Sequence, residues 1–301
     1  MTINIFENNF LIFKNSLHLL NSSFQANFKD LTLKIGCELE FYLPNLSSNQ
    51  LENLLNDKFL QNFQIKKEQG NSQFELVFNH STDIAGLASQ IILVKNYILN
   101  LAKNLNLQAI FLGKPFADDC PSALQFNISI HQKNGVNLFN KNSDLMFNIC
   151  NSLLDLSEQM LYLLNNDEKD FLRYNQQLNL DLFKNGKYIA PINLSLGFDN
   201  RTCAIRLANS FDDNLSKRLE FRLASSNADI YLAFSAIILA IKNGLNYQKN
   251  SFNIIYGNSF DEQYNCKKII DDYKLAKKNF FCDDNYFLYY FNKLLFNNYS
   301  E

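Results

Sequence analysis

The sequence predicts an α+β fold, in which a mainly antiparallel sheet is flanked by helices. Short segments alternate apolar and polar side chains with the two-residue period of a strand. Turns rich in Asp, Asn and Ser connect these segments, and longer segments with helical periodicity lie apart from them. Because neither an internal repeat nor a long linker divides the 301 residues, one compact domain is favoured over two.

The elements follow in chain order. A helical segment is predicted over residues 1–30, with an apolar stripe of Phe10, Phe13, Leu17 and Leu20, and the main domain over residues 31–301. Strands are predicted in residues 34–44, in the two halves of 64–78, and in 108–116, 123–131, 190–200, 202–207 and 217–223. Helices are predicted in residues 81–105, which open with Ser81, Thr82 and Asp83 as capping residues, and in 146–164, 231–242 and the tail from 256 onward.

The charge balance argues against nucleic acid and membranes as partners. The net charge is −2 and the isoelectric point is near 6.0, with no run of Lys or Arg. The most apolar run, residues 230–241, is about half as long as a bilayer span requires. Residues 1–30 lack the pattern of a signal peptide, so a cytoplasmic location is predicted.

Six scattered cysteines show no CxxC pair and no metal-finger spacing, which favours reduced, buried thiols. Cys120 in the segment DDCPS is an alternative nucleophile, for which only His18, His80 and His131 exist as partners.

Several predicted strands carry functional groups on one face. Glu38 and Glu40 point the same way in residues 34–44, opposite an apolar face. The same alternation places further polar side chains on one side of three other strands: Gln73 and Glu75; Gln125, Asn127, Ser129 and His131; Arg218, Glu220 and Arg222. A solvated face of an antiparallel sheet is one explanation. Acids at two-residue spacing with Arg and few Lys beside them equally suit Mg²⁺ or Mn²⁺ with a phosphate group.

Six segments, in this order, resemble the glutamine synthetase family. They contain Gly36, Glu38, Glu40 and Phe41; Glu68, Gly70, Gln73 and Glu75; Lys114, Pro115 and Phe116; and residues 122–139, 190–207 and 217–240. The resemblance covers about residues 33–245. It implies that the sheet is curved and that the main domain is a catalytic domain of this family.

The resemblance also implies a role for each matched position. Family members use divalent cations and ATP to activate glutamate as γ-glutamyl phosphate, which ammonia or an amine attacks. Glu40, Glu68 and Glu75 would hold one Mg²⁺ or Mn²⁺, and Glu38, Glu220 and Gln125 a second. The implied catalytic residues are Arg201 and Arg222, and the implied nucleotide- or substrate-binding residues are Asn127, Ser129, Arg206 and Arg218.

This sequence departs from the family pattern at several of these positions. Gln125 and Asn127 stand where the family has His, and Phe183 stands where it has Arg. Ile189 replaces the Glu that ammonia-using members place before Ala-Pro. Cys120-Pro121 replaces an Asn-Gly, and Asp229-Ile230 an Asn-Pro. The family also places a β-grasp domain of about a hundred residues before the catalytic part. Only about thirty residues precede the first match here, so either a second copy or a separate chain completes the site, or the site is open on one side.

Three functions follow from the sequence. The first is an ATP-dependent carboxylate–amine ligase acting on glutamate or a similar acid, and the loss of the Glu at position 189 favours a preformed amine over ammonium. The second is a catalytically degenerate nucleotide-binding or assembly protein, which the changes at positions 125, 127 and 183 favour. The third is another phosphoryl-transfer enzyme on the same scaffold.

Overall fold

The computed structural model describes residues 10–208, 216–248 and 252–296, in which one mixed sheet is covered by helices. The strands are β1 (Leu31–Tyr42), β2 (Gln64–Lys67), β3 (Gln73–Ser81), β4 (Ala123–Gln132), β5 (Leu196–Phe198), β6 (Ile205–Ala208) and β7 (Arg218–Ser225). Their order across the sheet is β2-β3-β1-β4-β7-β6-β5. Every pair is antiparallel except β5 with β6, which confirms the predicted α+β class with a mainly antiparallel sheet.

Helices account for most of the remaining described residues. The α-helices are α1 (Phe10–Asn27), α2 (Ser48–Leu55), α3 (Ile84–Asn104), α4 (Leu138–Lys141), α5 (Ser143–Asp155), α6 (Ser157–Leu164), α7 (Glu168–Phe171), α8 (Gln176–Lys184), α9 (Ile230–Gly244), α10 (Tyr273–Phe280) and α11 (Tyr286–Phe296). The helix predicted over residues 146–164 is therefore two helices, which meet at Leu156. Residues 1–9 of the predicted N-terminal helix lie outside the described residues.

Two predicted elements are wrong. Residues 108–116 form only an isolated bridge, between Ile110 and Tyr42, instead of a strand. Residues 256–272 are largely irregular instead of helical, and the end of this segment bonds to the backbone just before β5. Leu194 donates its N–H to Lys267 O at 2.7 Å, and Ile269 donates to Ile192 O at 2.9 Å. These long-range bonds satisfy backbone groups that a helix would have satisfied locally.

The apolar face of the sheet forms the core, as the alternation predicts. Leu39, Leu76, Phe126 and Phe221 have no exposed surface. Helix α9 packs over this face and against α1, α3 and α5, and its Phe234 ring meets Phe126 edge-on at 5.0 Å between centroids. Since α9 is buried nearly all round, its apolar composition reflects its central place in the core. The polar face of the sheet is left free for the site.

Helix α3 is the helix within the described residues that is long and apolar enough to cross a bilayer by length and composition. Its residues Ile84, Ile91, Val94 and Ile98 have no exposed surface and belong to the core. A core helix of a soluble protein passes the same test, so this composition is weak evidence for a membrane.

The start of α9 provides a test of local stability. The Asp229 carboxylate accepts the N–H of Leu232 at 2.9 Å and caps the helix. Asp229→Ala removes this acceptor, so we expect a loss of about 1 kcal/mol in the free energy of unfolding, measured by urea denaturation. Asp229→Asn keeps an acceptor and is the matched control. Equal losses in the two variants would contradict a capping role.

Candidate active site

The polar face of the sheet lines a cavity of about 510 Å³. The predicted residues that line it are Glu38, Glu40, Glu68, Glu75, Gln125, Arg201, Arg206, Arg218, Glu220 and Arg222. The two remaining predicted residues, Asn127 and Ser129, line a neighbouring cavity of about 520 Å³. Because Glu38 and Arg218 line both cavities, the twelve positions predicted from sequence form one continuous region.

Strand pairing brings the carboxylates of different strands together. In β1, Glu40 lies opposite Glu75 of β3, and Glu38 lies opposite Gln125 of β4. In the other half of the sheet, Glu220 of β7 lies opposite Asn127 of β4. The two-residue period predicts that these side chains point to the same side of their own strands. Once the strands pair, the side chains therefore form one surface.

Glu40 is the most enclosed of the β1 carboxylates. It accepts the N–H of Ala123 at 2.8 Å and the side-chain amide of Gln125 at 2.7 Å. Burial, with the charges of Glu68 and Glu75, raises its pKa to about 8 despite these two donors. Without a cation nearby, this carboxyl is therefore largely protonated at neutral pH.

The pKa values of Glu38 and Glu75 are raised as well. Burial, followed by the charges of Glu75 and Glu220, raises the pKa of Glu38 to about 7, although Asn127 donates to its carboxylate at 3.1 Å. Burial and the charge of Glu68 raise the pKa of Glu75, which also pairs with Lys66 at 3.2 Å. Like charges gathered in one cavity disfavour ionisation, which a divalent cation would reverse.

Glu220 differs because two arginines hold it. Its carboxylate lies 2.5 Å from a guanidinium nitrogen of Arg222 and 2.8 Å from one of Arg206. Burial disfavours the ionised form of Glu220, but the charges of Arg222 and Arg206 keep its pKa below the ordinary value. Glu220 therefore stays ionised in an ion cluster with Arg222 and Arg206, in which Arg206 also pairs with Asp199 at 3.2 Å.

The other two arginines are more accessible. Arg201 is exposed, and its guanidinium lies 4.7 Å from the centre of the Tyr188 ring. Arg218 donates from Nε to the side-chain oxygen of Asn127 at 2.8 Å, at the boundary of the two cavities. Ser129 lines the second cavity, 3.0 Å from a ring nitrogen of His131. Arg218 therefore places a positive group where the two cavities adjoin.

The donor set suits a hard divalent cation, because five carboxylates and an amide oxygen face the two cavities. Within residues 10–208, 216–248 and 252–296, no group of three or more His, Cys, Asp or Glu side chains is arranged to hold a metal ion. Three of the acids bond to protein groups instead. Glu40 bonds to Gln125, Glu75 to Lys66, and Glu220 to its two arginines.

Sequence reasoning missed several residues at this site. Lys66 pairs with Glu75 because β2 lies beside β3, which the sequence did not reveal. Arg173 is 1% exposed, and both its terminal nitrogens donate to the backbone oxygen of Arg222 at 3.3 Å. The sequence does indicate that Lys66 lies on the polar face of a strand, so this residue could have been found. No such pattern marks Arg173, because it lies in a short 3₁₀ turn.

Cys120 lines the cavity of about 510 Å³, but its thiol is not activated as a nucleophile. Burial, with the charge of Asp119, raises the pKa of its thiol to about 11. A reactive cysteine has a lowered pKa, so the raised pKa of Cys120 does not favour a role as nucleophile.

The crowded acids predict how stability depends on pH in EDTA, without divalent cations. The pKa of Glu40 is about 8 in the folded protein against an ordinary value of 4.5. The folded state therefore keeps a proton that the unfolded chain releases, and this stabilisation is complete below pH 4.5 and lost as the pH rises through about 8. We expect Glu40→Gln to flatten the decline of unfolding free energy over this range. Glu52→Gln, at an exposed position, is the control; a flattening of equal size there would contradict the assignment.

Comparison with known proteins gives a family match. The family model described as "Glutamine synthetase, catalytic domain" matches residues 48–301, which lie after β1 and its two glutamates. Gamma-glutamylputrescine synthetase PuuA of Escherichia coli (strain K12) is 24% identical over 200 residues, which are 65% of this chain and 40% of that protein. Glutamine synthetase of Pyrococcus horikoshii is 27% identical over 198 residues, 64% of this chain and 41% of that protein. The matches thus span about 40% of the length of these two relatives.

The fold has a counterpart among solved structures. GmaS, solved in complex with ADP, superposes with a TM-score of 0.76 at 19% identity, covering 96% of this chain and 74% of that one. This likeness confirms the fold class.

Proposed function

The chain belongs to the glutamine synthetase family, and from this we infer that it is an ATP-dependent carboxylate–amine ligase. One observation carries the proposal: five glutamates and five arginines from separate segments line one cavity on the polar face of the sheet. Carboxylates that hold divalent cations, together with arginines that hold phosphate and carboxylate groups, are what phosphoryl transfer to an acid requires.

The proposed reaction has two steps. In the first, an oxygen of the substrate carboxylate takes the γ-phosphoryl group of ATP, giving an acyl phosphate and ADP. In the second, the nitrogen of ammonia or an amine attacks the carbonyl carbon, and a C–N bond forms. The C–O bond to the phosphoryl group breaks, inorganic phosphate leaves with the electron pair, and the excess proton passes to water. Glutamate or a similar acid is the proposed substrate.

Mg²⁺ or Mn²⁺ is proposed to bind between the glutamates and to neutralise the phosphate charge. Glu40, Glu68 and Glu75 would hold one ion. Glu38, Glu220 and the amide oxygen of Gln125 would hold a second. The amide oxygen of Gln125 accepts from Arg222 at 3.3 Å, and its second lone pair is the one that would bind the ion.

The arginines and neighbouring polar groups are proposed to bind the substrates. Arg201 and Arg222 would contact the reacting phosphoryl and carboxylate groups as catalytic residues. Arg206, Arg218, Asn127 and Ser129 would contact the nucleotide or substrate. Arg222 is held by Glu220, which fixes its position before substrate arrives.

A second copy of the chain, or a separate chain, is proposed to cover the open side of the cavity. Arg201 and Lys66 are exposed there. An acyl phosphate must be shielded from water if an amine is to capture it. We propose a cytoplasmic location, where ATP and small carboxylates are available.

The test is phosphate release from ATP with Mg²⁺, glutamate and either ammonium or a primary amine. We expect release that requires all components and falls by about 10²-fold or more in Arg201→Met. Lys58→Met, at an exposed position outside both cavities, is the control for a lost surface cation. Phosphate release that does not depend on the acid or the amine would contradict a ligase.

A second candidate is a nucleotide-binding or assembly protein without turnover. The specific observation in its favour is that Glu40, Glu75 and Glu220 are bonded to protein donors and cations. This candidate predicts metal-dependent ATP binding with no phosphate release under any combination of acid and amine.

A further inference from the structure

Lys66 lies among the carboxylates that line the cavity of about 510 Å³. It belongs to the edge strand β2, opposite Glu75 of β3, and its ammonium nitrogen lies 3.2 Å from a carboxylate oxygen of Glu75. Within the described residues, Glu75 is the one hydrogen-bond partner of this ammonium. Lys66 therefore places a positive charge directly on an acid that is proposed to hold the first ion.

The charge of Lys66 also acts beyond Glu75. Burial raises the pKa values of Glu38, Glu68 and Glu75, and the charge of Lys66 opposes this rise at each of them. Glu68 and Glu75 belong to the first proposed ion site, and Glu38 belongs to the second. The ammonium of Lys66 therefore serves as a counter-ion for members of both acid groups.

The contact between Lys66 and Glu75 is easier to break than the ion pairs of Glu220. The side chain of Lys66 is 46% exposed, whereas the side chains of Arg206 and Arg222 are 22% and 9% exposed. Because β2 is the outermost strand of the sheet, the flexible four-carbon stem of Lys66 can turn toward solvent. Lys66 is therefore a displaceable partner, and the two arginines are fixed ones.

A divalent cation on Glu75 and the ammonium of Lys66 exclude each other. Mg²⁺ takes carboxylate oxygens at about 2.1 Å. An ion on the oxygen that Lys66 contacts would therefore be a close neighbour of like charge. Such charges repel strongly where burial limits screening by water, and the side chain of Glu75 is only 7% exposed. Lys66 must turn away from Glu75 before this carboxylate can hold an ion.

We propose that Lys66 is a displaceable internal counter-ion of Glu75, so that the protein takes up the divalent cation as its ATP complex in preference to the free ion. This inference rests on the metal site of the proposed function and names the form in which the metal enters. Uptake of a free ion displaces the ammonium without compensation. Uptake of the ATP complex brings phosphate oxygens into the same cavity, and these give the displaced ammonium new partners.

The first experiment is a calorimetric titration with MnCl₂ alone. Lys66→Met removes the ammonium, so we expect the Kd for Mn²⁺ to fall at least about tenfold relative to the wild type. Lys66→Arg keeps a cation beside Glu75 and should bind Mn²⁺ like the wild type. Lys58→Met, at an exposed position outside the cavity, is the control for a lost surface charge and should also match the wild type.

The second experiment titrates the same proteins with the preformed complex of Mn²⁺ and β,γ-methylene-ATP, an analogue from which the γ-phosphate cannot be hydrolysed. In this complex the phosphate oxygens compensate the displaced ammonium of Lys66. We therefore expect the wild type to bind the complex at least as tightly as Lys66→Met does. The advantage of the variant for the free ion should disappear.

The outcomes separate the inference from the ligase. Equal Kd values for free Mn²⁺ in the wild type and Lys66→Met overturn the inference and leave the ligase standing. A gain in Lys66→Met that persists with the nucleotide complex also overturns the inference, because it removes the preference for that complex. Absence of Mn²⁺ binding in every protein, with and without nucleotide, overturns both the inference and the proposed metal site. The expected pattern of Kd values, without phosphate release from ATP under any combination of acid and amine, supports the inference and overturns the ligase.

Discussion

Glu40→Gln is expected to abolish the rise in melting temperature that Mn²⁺ and ATP together give the wild-type protein. Burial, with the charges of Glu68 and Glu75, raises the pKa of Glu40, and its carboxylate also accepts the side-chain amide of Gln125. A ligand at a hundred times its Kd stabilises the folded state by about 2.7 kcal/mol. For a chain of this size, this corresponds to a rise on the order of 5 °C, which the variant should lose.

Thermal denaturation with and without Mn²⁺ and ATP measures this effect. Glu52→Gln removes the same charge from an exposed position and should keep the full rise. A rise in Glu40→Gln equal to that of the wild type would show that the ion binds elsewhere.

Arg222→Met is expected to destabilise the metal-free protein by about 3 to 5 kcal/mol. Arg222 is 8% exposed and Glu220 is 2% exposed, so the substitution leaves a buried carboxylate with Arg206 as its remaining cation. The side-chain oxygen of Gln125 loses a donor as well. Urea denaturation in EDTA measures the loss.

Arg218→Met is the matched control, because Arg218 lies on the same strand and faces the same way but is only half buried. Its hydrogen bond to Asn127 predicts a loss of about 1 kcal/mol. Adding Glu220→Gln to Arg222→Met should recover part of the larger loss, because it removes the buried charge left behind. The ion-cluster account fails if Arg222→Met costs no more than Arg218→Met.

The polar face of the sheet was predictable because its cause is local. A strand sends alternate side chains to opposite sides, so Glu38 with Glu40, and Arg218 with Arg222, had to share a face wherever the strands lay. The burial of Leu39, Phe126 and Phe221 follows from the same period. The resemblance to a family then assigned these side chains to one site.

What the sequence did not reveal depends on long-range placement. The pairing of Lys66 with Glu75 requires the register of β2 on β3. Arg173 reaches the backbone of Arg222 from a segment with no strand or helix period. A cavity of about 230 Å³ is lined by Phe183, Ile189 and Thr202 among others, and no single segment contains all of its walls.

The irregular path of residues 256–272 has a similar origin. Helical propensity predicts a helix in this part of the chain, but its backbone pairs with residues about seventy positions earlier, as the bond from Leu194 to Lys267 shows. Tertiary contacts outweigh local propensity when they satisfy the same backbone groups.

Calorimetric titration of the purified protein with ATP and Mg²⁺, with and without glutamate, tests the central claim most directly. The account predicts saturable binding that EDTA abolishes and that glutamate strengthens, because both ligands share the arginines and cations of one cavity. Binding that is indifferent to glutamate and to EDTA would contradict a metal-dependent ligase built on these acids.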